Sequence, residues 1–255
     1  MGTYLNPGNS GFAEILKSDY VDKTGLITII NSTIGTKKKL TCISRPRRFG
    51  KSYAAQMLSA YYDKTCDSHV LFSGYNIARD ISYEAHINQY HVINLDVSGF
   101  ISEAKKEGVR LSNVPASISA AIRLDIVEEY PQLKKYDTLN DVLLGLVRTT
   151  KTQIIFIIDE WDSMIRETPG DTDAQERYLN LLRGWFKNNN FTPVAIAAAY
   201  MTGILPIKKD GSQSAISDFR EFTMIKPRKF GEYVGFTEDE VKHLCRKEHI
   251  RFIHF

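Results

Sequence analysis

Little in this chain invites a zinc-site or disulfide-based reading. Its 255 residues contain three cysteines, Cys42, Cys66 and Cys245. They have no metal-ligand spacing and cannot all pair, which excludes a disulfide scaffold and makes a reducing cytoplasm the simplest setting. His243, Cys245, His249 and His254 lie close together in sequence, but their spacing matches no standard zinc ligand set. Long apolar stretches are also missing. The run 191–207 is shorter than a membrane span and contains Pro193, Gly203 and Pro206, so it reads as a buried strand and its exit loop. The opening residues, Met1-Gly2-Thr3-Tyr4-Leu5-Asn6-Pro7, show no basic segment followed by an apolar one, and no secretory signal is expected. There is no internal repeat and no low-complexity segment. The net charge of +3 points to no particular partner, although Lys37, Lys38, Lys39, Arg45, Arg47 and Arg48 concentrate positive charge in one stretch.

What the chain does have is a core. With 43% hydrophobic and 25% charged residues it can bury a substantial interior in one α/β domain with a small appendage. Strands are expected at 39–44, 91–96, 153–159, 194–201 and 221–225, and helical spacing falls at 12–18, 117–129, 139–149 and 174–187. Strands alternating with helices predict a parallel sheet flanked by helices on both faces. Residues 1–36 read as an N-terminal leader, 37–228 as the core and 229–255 as the start of a helical lid. Thr237-Glu238-Asp239-Glu240 is a capping-box pattern that opens the lid helix.

Two motifs carry chemistry. The first is Arg45-Pro46-Arg47-Arg48-Phe49-Gly50-Lys51-Ser52, placed between an apolar strand and a helix whose apolar face is Ala54, Met57, Leu58 and Tyr61. An apolar strand that delivers Gly-Lys-Ser into the first turn of a helix sets backbone N–H groups, a positive helix end and a lysine ammonium around one anion. Gly-Lys-Ser alone is common, and Arg45 stands where the strict phosphate-loop pattern has glycine, so the surroundings must decide. The second motif supplies them: Ile154-Ile155-Phe156-Ile157-Ile158 ends in Asp159-Glu160-Trp161-Asp162, a doubly buried strand with acids at the edge where open α/β sheets bind ligands. In P-loop enzymes such an aspartate holds Mg²⁺ with the loop hydroxyl, here Asp159 and Ser52, and the next glutamate, Glu160, accepts a proton from the attacking water.

Together with Tyr20-Val21-Asp22-Lys23-Thr24-Gly25-Leu26-Ile27 and Thr202-Gly203-Ile204-Leu205, these motifs occur in an order that resembles the bacterial AAA-ATPase-like family over nearly the whole chain. Members of that family replace the first loop glycine with this Arg-Pro-Arg-Arg-Phe run. The resemblance implies a P-loop NTPase core that binds ATP and Mg²⁺, with Arg47, Arg48, Phe49, Gly50, Lys51, Ser52 and Tyr53 around the nucleotide, Ser52 and Asp159 on the metal, and Glu160, Lys51 and Thr202 in the chemistry. Many relatives continue into a nuclease-like domain through a Trp-Tyr-Asp-Gly-Tyr motif. Here the sequence turns to His249-Ile250-Arg251-Phe252-Ile253-His254-Phe255, so no nuclease activity is expected of it.

Several roles stay open. Thr202 either senses the γ-phosphate or is a β-favouring residue of the sheet. Tyr20 to Thr24 either closes over the adenine side or seals the sheet edge. Arg166 and Arg183 are either arginine fingers in a self-associated form or ordinary surface residues, and Asp162 reads as a residue supporting the metal site from behind or as a helix cap, not as a metal ligand. Three functions follow: an ATPase, an ATP-dependent switch with little turnover, and a nucleic-acid-binding module using the basic 37–48 stretch.

Overall fold

Every second residue of Ile154–Asp159 faces one side of the sheet and the rest face the other, and both sides are covered. Ile154, Phe156 and Ile158 enter one apolar cluster with Leu95, Met201 and Trp185. Ile155 and Ile157 enter a second with Ile43, Tyr200 and Met57. This period of two with both faces buried is what a run of β-branched residues requires of a parallel sheet. The computed structural model describes residues 2–207 and 216–250. Its strands are β1 (Leu40–Ser44), β2 (His91–Asp96), β3 (Ile154–Asp159), β4 (Ile196–Gly203) and β5 (Arg220–Phe222). All pair in parallel, in the order β2-β3-β4-β1-β5. The α/β fold with a parallel sheet flanked by helices is therefore the one expected of a P-loop NTPase core.

The helices longer than one turn are α1 (Ser10–Ile15), α2 (Gly25–Asn31), α3 (Lys51–Tyr62), α4 (Val97–Lys106), α5 (Val114–Glu129), α6 (Leu139–Thr150), α7 (Ser163–Glu167), α8 (Thr172–Phe186) and α9 (Glu238–Lys247). Residues of α1, α2 and α3 bury into one cluster, and residues of α4, α5, α6 and α8 into the other. The chain thus leaves β1 toward one face and leaves β2 and β3 toward the opposite face. Such a switch opens a crevice at the C-terminal ends of the strands.

Boundaries differ from expectation for local reasons. β4 begins at Ile196, not 194, because Pro193 sits in the first turn of a short helix, Thr192–Ala195. β5 stops at Phe222 instead of running to 225: Phe222 pairs with Ile43, and β1 ends at the next residue. α5 starts early with Pro115 in its first turn, and α8 starts at Thr172 because Asp171 accepts the Ala174 amide. Leu26-Ile27-Thr28-Ile29-Ile30 favours strand by propensity, yet it forms α2 with four of the five buried. The capping box forms as its spacing predicts, with Thr237 N–H donating to Glu240 Oε2 at 2.7 Å and Glu240 N–H to Thr237 Oγ1 at 3.3 Å.

The first residues are tied to the sheet edge. Leu5 lies antiparallel to Ile93, Asn6 N–H donates to Val92 O at 2.7 Å, and Asn94 N–H donates to Tyr4 O at 2.9 Å. Asp125 of α5 accepts both the Tyr4 and Leu5 amides. The open edge of β2 is covered in this way.

Candidate functional site

The loop 45–50 leaves the C-terminal end of β1 beside the exit of β4, where Arg45 N–H donates to Gly203 O at 3.0 Å. Arg48 and Gly50 both take positive φ, 69° and 71°. Gly50 directly precedes α3, and no atom lies within 4 Å of a Cβ built there, so its requirement is conformational and not steric. Lys51 is buried in the first turn of α3, and its Nζ donates to Arg45 O at 3.2 Å and Pro46 O at 3.0 Å. The loop therefore wraps around its own ammonium. Arg45, in the position of the missing glycine, is buried and packs its guanidinium against the sulfur of Met224 near β5. It is a structural residue of this loop.

Ser52, also in the first turn of α3, donates its hydroxyl to Asp159 Oδ2 at 2.5 Å. The other oxygen of Asp159 accepts the Thr202 hydroxyl and the Glu160 amide, the latter at 3.0 Å. The start of α3 and the ends of β4 and β3 thus converge on a single buried carboxylate. Glu160 has φ 52° and turns its carboxylate to Arg166 of α7, with Ser163 Oγ 3.4 Å away. Arg166 Nε also donates to Asp162 Oδ2 at 3.0 Å.

Asp162 does not cap its helix with its side chain. That fully buried carboxylate accepts the Ile204 and Leu205 amides at 3.2 and 2.8 Å, fastening the exit of β4. A side chain at Gly203 would meet Asp162 Oδ1 at 2.6 Å and Trp161 Nε1 at 2.7 Å, so this close approach needs glycine.

Two cavities flank the loop. A polar one of about 480 Å³ is lined by Arg47, Ser52, Asp96, Lys105, Asp159, Glu160 and Arg166, among others. A narrow apolar cleft of about 70 Å³ is bounded by Tyr20, Lys23, Phe49, Tyr53, Tyr233 and Phe236, with Gly50 between them. Burial raises the Tyr20 phenol well above its ordinary pKa, and its protonated hydroxyl donates to Met57 Sδ at 3.2 Å. The Tyr20 to Thr24 motif therefore borders this cleft. Arg48 is exposed and lines neither cavity.

Other residues singled out in the sequence lie apart. Arg183 pairs with Glu176 and Asn180 on the exposed side of α8. His243, Cys245 and His249 form no metal-binding group among the described residues, and His254 lies outside them. Asp96 and Lys105 escaped sequence reading. Asp96 was visible as the acid ending the second strand, in register with Asp159. Lys105 carried no comparable signal.

A parallel sheet whose first strand feeds a Gly-Lys-Ser turn into a helix, with an aspartate on a neighbouring strand end hydrogen-bonded to that serine, defines the P-loop NTPase class. A family model described as "Predicted AAA-ATPase" matches residues 7–212, and the chain belongs to that family. Comparison with curated proteins gives no match. Among the described residues, no helix is long and apolar enough to cross a membrane.

Proposed function

We propose that this protein binds ATP with Mg²⁺ and hydrolyses it in the crevice between β1 and β3. The observation that carries the reading is the Ser52–Asp159 contact beside Lys51, with Glu160 next on the same strand end. The residues fit the ligand. One carboxylate and one hydroxyl leave a magnesium ion free to complete its shell with phosphate and water oxygens, as Mg²⁺ prefers. Bound there, the ion supplies neutralisation of charge developing on the terminal phosphates.

Lys51 exchanges the Arg45 and Pro46 carbonyls for phosphate oxygens, and the unpaired amides at the start of α3 face the same anion. Thr202 holds Asp159 in place for metal binding. Glu160, once parted from Arg166, orients water or takes its proton. Phe49 and Tyr53 offer ring surface to the base with Tyr20 opposite, while Arg47 and Arg48 add positive charge on the phosphate side. Residues 1–36 act as a leader on the core 37–228, and 229–255 as the beginning of a lid.

Isothermal titration with ATP and Mg²⁺, alongside phosphate release, tests this reading. A charge-assisted hydrogen bond contributes about 1.5–3 kcal/mol, so Lys51→Ala lowers affinity on the order of tenfold to a hundredfold. Glu160→Gln keeps binding and lowers turnover on the order of 10²- to 10⁴-fold. Equal turnover in wild type and Glu160→Gln sinks the catalytic assignment. The Arg166–Glu160 pair favours a second reading, a switch that holds ATP and turns it over slowly. Tight binding with negligible phosphate release supports that alternative.

A further inference from the structure

Along the free edge of β5 runs a groove of about 770 Å³ that shares no residue with either cavity beside the phosphate loop. Five cations line it: Lys38 just before β1, Arg220 on β5, and Lys226, Arg228 and Lys229 in the turn that follows. None of the five pairs with a carboxylate among the described residues. The one acid in the wall among the described residues, Glu221, is turned inward, accepting from Ser44 Oγ at 3.3 Å and the Ile207 amide at 2.6 Å.

Two of the cations are held in place by aromatic rings. Arg220 lies over the Phe222 ring at 5.6 Å and donates through Nη2 to Thr41 Oγ1 at 3.2 Å, while its Nε is buried without a partner among the described residues. Lys229 sits over Phe230 at 5.8 Å. Burial, together with the nearby Arg220 and Lys38 charges, lowers the Lys229 ammonium below its ordinary pKa. Like charges gathered without a counterion oppose folding. Their convergence from three chain segments is an arrangement that an anion completes.

We propose that this groove binds the phosphodiester backbone of a nucleic acid. An acidic peptide added as a strand fits less well: β5 has only three residues, and Pro227 and the flanking lysines are what sheet edges use to resist strand addition. The placement also changes the nucleic-acid surface expected from sequence. Lys38 and the arginines of the loop lie at opposite ends of β1, so 37–48 is not one surface. Lys38 works with 220–229 instead.

Fluorescence anisotropy with labelled single-stranded DNA, duplex DNA and RNA, each titrated with salt, tests the proposal and distinguishes the three sources of the same backbone. Wild-type protein is expected to bind at low salt, with log affinity falling by about 0.7 per neutralised phosphate on single strands, or about 0.9 on duplex DNA, per tenfold rise in salt. Changing Lys226, Arg228 and Lys229 together to Ala is expected to weaken binding at least about tenfold and reduce the single-strand slope by roughly two. Should that triple variant lose its fold by circular dichroism, Lys226→Ala alone, an exposed change, is expected to reduce the slope by about 0.7. Lys51→Ala retains binding, and ATP does not compete. Failure of wild type to bind at low salt overturns the proposal. So does loss of binding in Lys51→Ala or competition by ATP, which moves the contact to the phosphate loop. Equal displacement by polyglutamate, with the same dependence on the variants, assigns the groove to an acidic protein.

Discussion

If the protein turns ATP over as proposed, Arg166 sits where it restrains the reaction. Its guanidinium engages Glu160, Asp162 and Ser163 at once, and Asp162 in turn holds the amides that follow β4. A carboxylate committed to a guanidinium has fewer lone pairs for a water molecule, so the pair keeps Glu160 away from its proposed work. Truncating Arg166 releases that glutamate and also leaves buried Asp162 with fewer donors. Arg166→Ala is therefore expected to raise kcat several-fold with KM for ATP little changed, while lowering thermal stability by about 1–3 kcal/mol. Steady-state kinetics and thermal melts check both arms. A fall in kcat with KM preserved would instead give Arg166 a direct part in stabilising charge. Adding Glu160→Gln to Arg166→Ala should return turnover to the low level of Glu160→Gln alone.

Among the elements, the strap 4–6 on β2 depends on one neutral histidine. His91 is fully buried. The Asn6 amide is oriented by its Oδ1, which accepts the Val92 N–H at 2.8 Å; its Nδ2 therefore donates to His91 Nδ1 at 3.1 Å. The proton then belongs on Nε2, which donates to Thr150 Oγ1 at 3.0 Å. Burial, helped by Lys64, lowers the His91 pKa to about 4. The unfolded chain, with an ordinary value of about 6.5, binds that proton first. Stability is thus fully present above the unfolded value and falls as pH drops from about 6.5 to about 4, by on the order of 3 kcal/mol. Urea melts across this range should show the slope in wild type and a flatter one in His91→Gln; equal slopes would assign the acid loss to other groups. None of this strap was legible in sequence, because it joins residues distant along the chain. What was legible had local causes: the alternation in β3, the apolar face of α3, and the Thr237 to Glu240 box. Asp159, Ser52 and Glu160 stood at strand and helix ends that periodicity locates. The Arg166 contact and the meeting of Lys38 with residues 220–229 follow only from the packing of whole elements. α2 shows the same limit in reverse, since its isoleucines favour strand and tertiary burial makes them helix.

For the molecule as a whole, the proposed nucleotide site meets a cleft of about 70 Å³, far below the roughly 300–1,000 Å³ of ordinary ligand pockets, so a base placed there requires the cleft to widen. One wall belongs to residues 19–23 and the other to residues 233–236, and Lys23 ties them together. Its Nζ donates to Glu240 at 2.6 Å and to Glu232 O at 2.6 Å, and lies 5.7 Å from the Phe236 ring centre. Lys247 of α9 reaches Asp19 in the same way. Burial by itself raises the Glu240 carboxyl, but Lys23 and the Thr237 amide outweigh it and hold the pKa below the ordinary value. A carboxylate lowered in this sense keeps its stabilising charge above the unfolded value of about 4.3 and loses it only as pH falls through the folded value. Neutral pH therefore leaves the tie intact, and on the proposed reading the nucleotide widens the cleft by displacing it. Glu240→Gln removes the charge while retaining an N3 residue suited to the capping box. It is expected to speed association of a fluorescent ATP analogue several-fold in stopped-flow measurements, with helix content unchanged by circular dichroism. An unchanged association rate would place the opening elsewhere, at Phe49 and Tyr53 of the loop itself.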